Sequence, residues 1–136
     1  MAEIGVKEYL LQREPILMVD RLLEVSEKEC VTSLEIKPCN FFVDQDGMFC
    51  EAGVIEHIAQ SCSVLVGWNA RRRGEDAAIG YIGEVKKCVF GNPPAVGSVL
   101  TTHVKFISEA MGVTLAAAET CCGDSQIATC KLKISL

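Results

Sequence analysis

Residues 51–73 place one acid, Glu56, inside the longest stretch of the chain with helical periodicity. Apolar residues recur there at the i, i+3, i+7 and i+10 spacing of one helix face, and the neighbouring faces are also apolar or small. Gly74 follows three arginines and fits a helix C-terminal cap. We therefore predict a helix over 51–73 that is covered on most sides, with its main apolar face formed by Ile55, Ile58, Cys62 and Leu65.

The rest of the chain predicts mainly strands. A short amphipathic helix is expected over 5–12 and a loop over 38–50. Alternating apolar and polar residues, separated by turn signals, mark the extended segments 16–25, 30–37, 78–90, 99–108, 112–121 and 126–135. Short links between the last four favour antiparallel pairing. The prediction is a single α+β domain over 1–136, in which a six-stranded antiparallel sheet wraps around one long central helix.

Charge and composition exclude several kinds of function. The net charge of −5 argues against general nucleic-acid binding. No uncharged apolar run approaches the roughly 18 to 20 residues that span a bilayer. The first residues lack the features of a signal peptide, so we expect a cytoplasmic protein. The eight cysteines include no C-x-x-C pair and there are two histidines, which argues for reduced thiols and against a metal site.

Three segments together resemble a known family. Residues 10–25 are similar to an opening L-P-H-R-x-P-x-L-L-V-D-R-V segment, and 82–100 to a strand and turn I-x-x-x-x-F-x-x-x-V-x-P-G-D-x-L. Residues 53–60 resemble a helix start G-V-x-x-x-E-x-x-A-Q that is two residues longer between Gly and Glu. This order resembles the 3-hydroxyacyl-[acyl carrier protein] dehydratases, which have the hot-dog fold. Phe41-Phe42, a short acidic loop and an arginine-ended helix are most similar to the branch linked with aryl-polyene pigment pathways.

The resemblance implies an enzyme that removes water from 3-hydroxyacyl thioesters in fatty acid or polyene- and polyketide-type lipid biosynthesis. The substrate would be carried on the phosphopantetheine of an acyl carrier protein or on coenzyme A, with no other cofactor and no metal. Two alternatives stay open. One is a hot-dog acyl thioesterase, in which a carboxylate activates water or attacks the thioester. The other is a non-catalytic partner subunit of an active dehydratase, since fold alone does not separate these functions.

The resemblance assigns the acid of the reaction to Glu56 and leaves the base unassigned. In the typical dehydratase the loop before the helix carries a histidine, whereas 38–50 contains none. His57 is the histidine nearest Glu56, although consecutive helical residues point about 100° apart. It is either a second catalytic residue or a structural histidine bonded to the loop or to a partner subunit. His103 is expected on the surface side of its strand.

Other residues near Glu56 are candidate substrate contacts. Gln60 follows one turn later on the same helix face and would orient the carboxyl group. Backbone amides around Gly53 and Val54, at the electropositive helix start, would hold the thioester oxygen. Desolvation in an apolar helix favours a protonated carboxyl group, which suits an acid; the alternative is a carboxylate satisfied by backbone amides. Loop side chains either line an acyl-chain tunnel or pack over the core; they are Phe41, Phe42, Met48 and Phe49.

Cationic residues provide candidate docking sites for a carrier protein. Arg71, Arg72 and Arg73 end the predicted helix, where their alternative role is to complement the helix dipole. Lys86 and Lys87 lie in the strand that follows. An acidic carrier needs such a local positive patch on a protein of net charge −5. Because an open sheet leaves an edge, we also expect a homodimer or a heterodimer with a related hot-dog subunit.

Overall fold

The computed structural model describes residues 4–75 and 81–135. Within this part, one long α-helix and a short 3-10 helix accompany seven strands. The strands are β1 (Ile4–Gly5), β2 (Arg21–Val25), β3 (Glu29–Glu35), β4 (Tyr81–Phe90), β5 (Val99–Ala110), β6 (Val113–Cys122) and β7 (Ser125–Ser135); the helices are a 3-10 turn (Val6–Glu8) and α1 (Glu51–Arg72).

The strands form one antiparallel sheet in the order β1-β2-β3-β5-β6-β7-β4. The sheet wraps around α1, so the predicted hot-dog architecture is confirmed. The six predicted strands are present, and the two-residue β1 is added at one edge. Residues 78–80 of the third predicted strand, 78–90, lie outside the described residues. At the other edge, β4 pairs within the described chain with β7.

Two predicted elements differ from the structure. The amphipathic helix over 5–12 is reduced to the 3-10 turn Val6–Glu8, because so short a segment cannot offset the cost of helix nucleation. Val6 and Leu10 are buried in spite of this. The predicted strand over 16–25 begins only at Arg21, because the backbone at Met18 bonds to helix side chains instead of to a neighbouring strand.

Helix α1 buries most of its surface and leaves one stripe open. Val54, Ile58, Cys62 and Leu65 are buried against the sheet, whereas Ile55, predicted on that face, is only half-buried. Between Ala52 and Gly67, the helix residues that stay half-buried or exposed fall within about 100° around the axis. This group, here called the open stripe, consists of Ala52, Ile55, Glu56, Ala59 and Ser63.

The predicted end of the helix is confirmed in detail. Gly74 has a φ of +76°, its N–H donates to the Arg71 carbonyl, and the Glu75 N–H donates to the Ala70 carbonyl. This pair of bonds is the Schellman arrangement, in which a left-handed glycine closes the helix. Inside the helix, Gly53 lets the loop approach, since a Cβ there would lie 2.6 Å from both Phe42 Cβ and Phe49 Cζ.

Candidate active site

Glu56 and Gln60 form the centre of the site, one turn apart on α1. Gln60 Nε2 donates to Glu56 Oε1 at 2.8 Å, so the predicted contact between the two side chains is present. Glu56 is half-buried and belongs to the open stripe, whereas Gln60 is only 1% exposed. The carboxyl group is therefore oriented by the chain but remains open on one side.

Two further hydrogen bonds fix the Gln60 amide in one orientation. Its Oε1 accepts from the Met18 N–H at 2.6 Å, and its Nε2 donates to the Ile16 carbonyl at 2.8 Å. The Met18 N–H can only donate and the Ile16 carbonyl can only accept, so rotating the amide by 180° would break both bonds. Gln60 must then donate to Glu56 Oε1, and Oε2 has no hydrogen-bond partner among the described residues. Met18 and Ile16 could not be identified as site residues from the sequence, because their backbone groups and not their side chains make the contacts.

His57 is enclosed in the core and has both ring nitrogens engaged. Its exposure is 0%; Nδ1 lies 2.7 Å from the Met18 carbonyl and Nε2 lies 2.8 Å from Thr102 Oγ1. A carbonyl only accepts, so Nδ1 carries the proton and the Thr102 hydroxyl donates to Nε2. Thr120, whose Oγ1 is 2.6 Å from that of Thr102, then donates to Thr102.

This environment keeps His57 neutral. Burial lowers its pKa to about 4, against the opposing effects of the Met18 carbonyl and of Asp20. The expectation that His57 reaches a substrate does not agree with this placement. Its structural alternative is supported, but with Met18 and Thr102 as partners instead of the 38–50 loop or a second subunit.

The start of α1 does not supply the predicted amides for a thioester oxygen. The N–H groups of Gly53 and Val54 both donate to the Cys50 carbonyl, at 3.0 and 3.2 Å. Within the described chain, the amides of Glu51 and Ala52 have no such backbone partner. The reason is that the helix begins at Glu51. Gly53 and Val54 are therefore the first residues whose amides bond back to the Cys50 carbonyl.

Two of the loop aromatics, Phe42 and Phe49, pack against the core. Phe49 is buried and Phe42 is half-buried, with ring centroids 6.3 Å apart in an edge-to-face arrangement. Both pack on Gly53. Phe49, Met48 and Val54 also line a cavity of about 270 Å³ beside the helix start. Glu56 is not among the described residues that line it.

The candidate docking residues fall into two separate groups. The arginines lie at the far end of α1, and from Glu56 to Arg72 the helix rises about 24 Å. Arg73 pairs with Glu75, and the Arg72 guanidinium lies 4.7 Å from the centroid of the Trp68 ring. Lys86 and Lys87 lie on β4, at the edge of the sheet.

The three buried thiols, Cys30, Cys62 and Cys130, offer no nucleophile to this site. All eight cysteines are free. Burial raises the pKa of the Cys30 and Cys130 thiols to about 12 and also raises that of Cys62. Buried thiols of this kind stay protonated and behave as small apolar side chains. In the described part of the chain, no helix is both long and apolar enough to cross a membrane.

Comparisons with known proteins identify the family of this chain. A model of the ApeP-like family, described as the ApeP dehydratase, matches residues 4–135. The 3-hydroxyacyl-[acyl-carrier-protein] dehydratase FabZ of Oceanobacillus iheyensis is 33% identical over 110 residues, which are 75% of this chain and 74% of that protein. FabZ of Teredinibacter turnerae is 27% identical over 115 residues, or 81% of this chain and 79% of that one.

A solved structure shows the same fold over nearly the whole chain. It is the dehydratase heterocomplex ApeI:P from Xenorhabdus doucetiae, with a TM-score of 0.89 and 22% identity, covering 97% of this chain and 90% of that one. Together these matches confirm the predicted hot-dog dehydratase of the aryl-polyene branch. They favour it over the alternative of a non-catalytic partner subunit.

Proposed function

Because the chain belongs to the ApeP-like dehydratase family, we propose that it removes water from a 3-hydroxyacyl thioester, with Glu56 as the acid. The substrate is carried on the phosphopantetheine of an acyl carrier protein, and no metal or further cofactor takes part. The observation that carries the proposal is the Gln60 bond to Glu56 Oε1, which holds the carboxyl group in place and leaves Oε2 free for a proton.

The reaction needs two proton transfers. A base takes the proton from the α-carbon, and the electron pair forms the α,β double bond as the C–O bond at the β-carbon breaks. Glu56 Oε2 gives its proton to the departing hydroxyl, so that water leaves and an enoyl thioester remains. Hydrogen-bond donors stabilise the thioester oxygen while negative charge develops on it. The amides of Glu51 and Ala52 are the candidates for this role, since Ala52 precedes Glu56 by one turn on the open stripe.

The base comes from a second hot-dog subunit in this proposal. The sequence has two histidines: His57 is enclosed, and His103 is bonded to Glu29 at 2.8 Å on the outer face of the sheet. Glu56 lies on the one helix stripe that the described chain leaves open. The similar ApeI:P structure is a heterocomplex of dehydratases. A heterodimer with a histidine-bearing relative therefore supports catalysis better than a homodimer.

The exposed edge of the sheet supports the same assembly. Strand β4 is ten residues long and has no described neighbour on its outer side, and Val89 on it is 63% exposed. Long uncovered edge strands promote pairing with other chains and are normally protected. Pairing of β4 with the corresponding strand of a second subunit would cover this edge.

The test is turnover by the purified chain alone, by a histidine-bearing hot-dog partner alone and by both together. We expect the pair to convert 3-hydroxyacyl carrier protein to the enoyl product, and Glu56→Gln to reduce the rate by at least about 100-fold, the usual contribution of a general acid. Glu24→Gln, the same substitution at an exposed acid of β2, is the matched control. Release of free thiol from saturated acyl thioesters would instead support the thioesterase alternative.

A further inference from the structure

Four lysines lie together on the outer face of the sheet, and we call this region the lysine face: Lys86, Lys87, Lys105 and Lys131. Lys105 on β5 and Lys131 on β7 are both register neighbours of Ala117 on β6, and Lys131 lies directly opposite Lys86 on β4. Lys87, Lys105 and Lys131 line a shallow groove of about 470 Å³. The small Ala117 side chain leaves the centre of the groove open.

This arrangement works against the stability of the sheet. Like charges directly opposite each other on neighbouring strands are destabilising, and Lys86 and Lys131 are such a pair. Lys87 has a φ of +50°, in the left-handed region that residues other than glycine rarely adopt. It lies in a bulge, where the register shifts between Lys86 and Val89. Strained backbone of this kind is concentrated at functional sites.

The charges of the lysine face are largely unneutralised. Among the described residues, Lys87, Lys105 and Lys131 have no ion pair, and Lys86 reaches Glu84 at 3.6 Å. Two acids lie nearby: Glu119 in the groove accepts a hydrogen bond from Gln126 at 2.9 Å, and Glu29, opposite Lys105 in register, is bonded to His103 at 2.8 Å. The arginine cluster differs, because Arg73 is paired with Glu75 and Arg72 is stacked on Trp68. On a chain of net charge −5, the lysine face is a localised cationic surface.

We propose that the lysine face docks the acidic surface of the carrier protein that brings the substrate, an inference that rests on the proposed function. The location also fits the delivery of a thioester. Lys87 precedes by three residues Phe90, which lines the cavity beside the helix start. A carrier on the lysine face would therefore stand near the end of β4, where Phe90, Gly91 and Asn92 line that cavity, and its phosphopantetheine would reach the cavity around this strand end.

The experiment compares charge reversals with two kinds of substrate, using the assembled enzyme. For Lys105→Glu/Lys131→Glu we expect KM for the carrier-bound substrate to rise about tenfold at low salt, with the difference largely lost at high salt. Turnover of the same acyl group on a short pantetheine thioester stays unchanged. Lys28→Glu, at an exposed lysine of the β2–β3 turn without an ion pair among the described residues, is the matched control.

Each outcome decides the proposal. An unchanged KM in the double variant, or a larger rise in Arg71→Glu, would assign docking elsewhere. Coenzyme A and the apo-carrier can each be added as a competitor of holo-carrier binding. If coenzyme A competes as strongly as the apo-carrier, the surface recognises phosphate and not the carrier protein. If no dehydration occurs at all, the proposed function fails, but salt-dependent binding of holo-carrier to the unmodified and double-variant proteins still tests the surface.

Discussion

At the scale of single residues, the site depends on two side chains that their hydrogen bonds hold in one orientation. Gln60 is held by the backbone of Met18 and Ile16 and so presents its N–H to Glu56. His57 Nδ1 donates a hydrogen bond to the carbonyl of the same Met18. The two helix residues beside Glu56 therefore hold one extended segment, and through it the orientation of the carboxyl group.

Replacing Gln60 with Leu should lower kcat by about 10- to 100-fold, because a misplaced catalytic group costs rate even when it is chemically intact. The same change leaves buried backbone groups at Met18 and Ile16 without partners, which should cost about 1 to 3 kcal/mol of unfolding free energy. Steady-state kinetics and urea unfolding measure the two effects.

The control is Asn69→Leu, which removes another helix amide that bonds to backbone carbonyls, at Glu27 and Leu65. This variant should have lower stability and an unchanged kcat. Equal kcat values for Gln60→Leu and the unmodified protein would show that Glu56 needs no orientation.

His57 should make the fold sensitive to acid. Its pKa is about 4 in the folded chain and about 6.5 when unfolded, so between these values the unfolded state binds more protons. Stability is therefore complete above pH 6.5 and falls as the pH drops toward 4, by about 3 kcal/mol in total. Unfolding free energies of the unmodified chain and of His57→Asn across this range measure the effect. The pH dependence should be weaker in the variant, and identical curves would contradict a buried neutral imidazole.

At the scale of the elements, the junction between α1 and the preceding loop depends on close contact at Gly53. Alanine normally stabilises a helix relative to glycine by about 1 kcal/mol. At Gly53 its Cβ would lie 2.6 Å from two phenylalanine side-chain atoms, so we expect Gly53→Ala to destabilise the fold by about 1 to 3 kcal/mol. Gly83→Ala, where the nearest atom is 3.7 Å away, serves as the control in urea unfolding. A Gly53→Ala protein that is more stable than the original would show that the loop does not pack there.

Periodicity was sufficient to predict these elements but not their contacts. The apolar spacing over 51–73 predicted a helix that the structure places at Glu51–Arg72, and alternation predicted the faces of β5 and β7. The strand predicted over 16–25 begins five residues later, at Arg21. The sequence does not show that the Gln60 and His57 side chains form hydrogen bonds with the Met18 backbone. The enclosure of His57 also depends on Thr102, which is distant in sequence. Contacts between a side chain and a distant backbone leave no periodic signal.

At the scale of the whole molecule, the open stripe and the β4 edge are the two surfaces that the proposed second subunit would cover. Ala59 lies on the open stripe one residue before Gln60. A large charged side chain there should prevent a second subunit from covering Glu56 without disturbing the core, so Ala59→Arg should sediment as a monomer while its unfolding midpoint changes little. Lys37→Glu, a charge change at an exposed residue outside the stripe, is the control. Assembly that survives Ala59→Arg would place the subunit interface elsewhere.

Glu56 is the proposed acid of the reaction, and a change of leaving group separates this role from that of a base. Water leaves only when its oxygen is protonated, whereas fluoride leaves without a proton. With the assembled enzyme, Glu56→Gln should slow dehydration of a 3-hydroxyacyl carrier by at least about 100-fold while elimination of fluoride from the matching 3-fluoroacyl carrier proceeds at close to the unmodified rate. Equal loss of both eliminations would contradict the account, because Glu56 would then be the base that removes the α-proton.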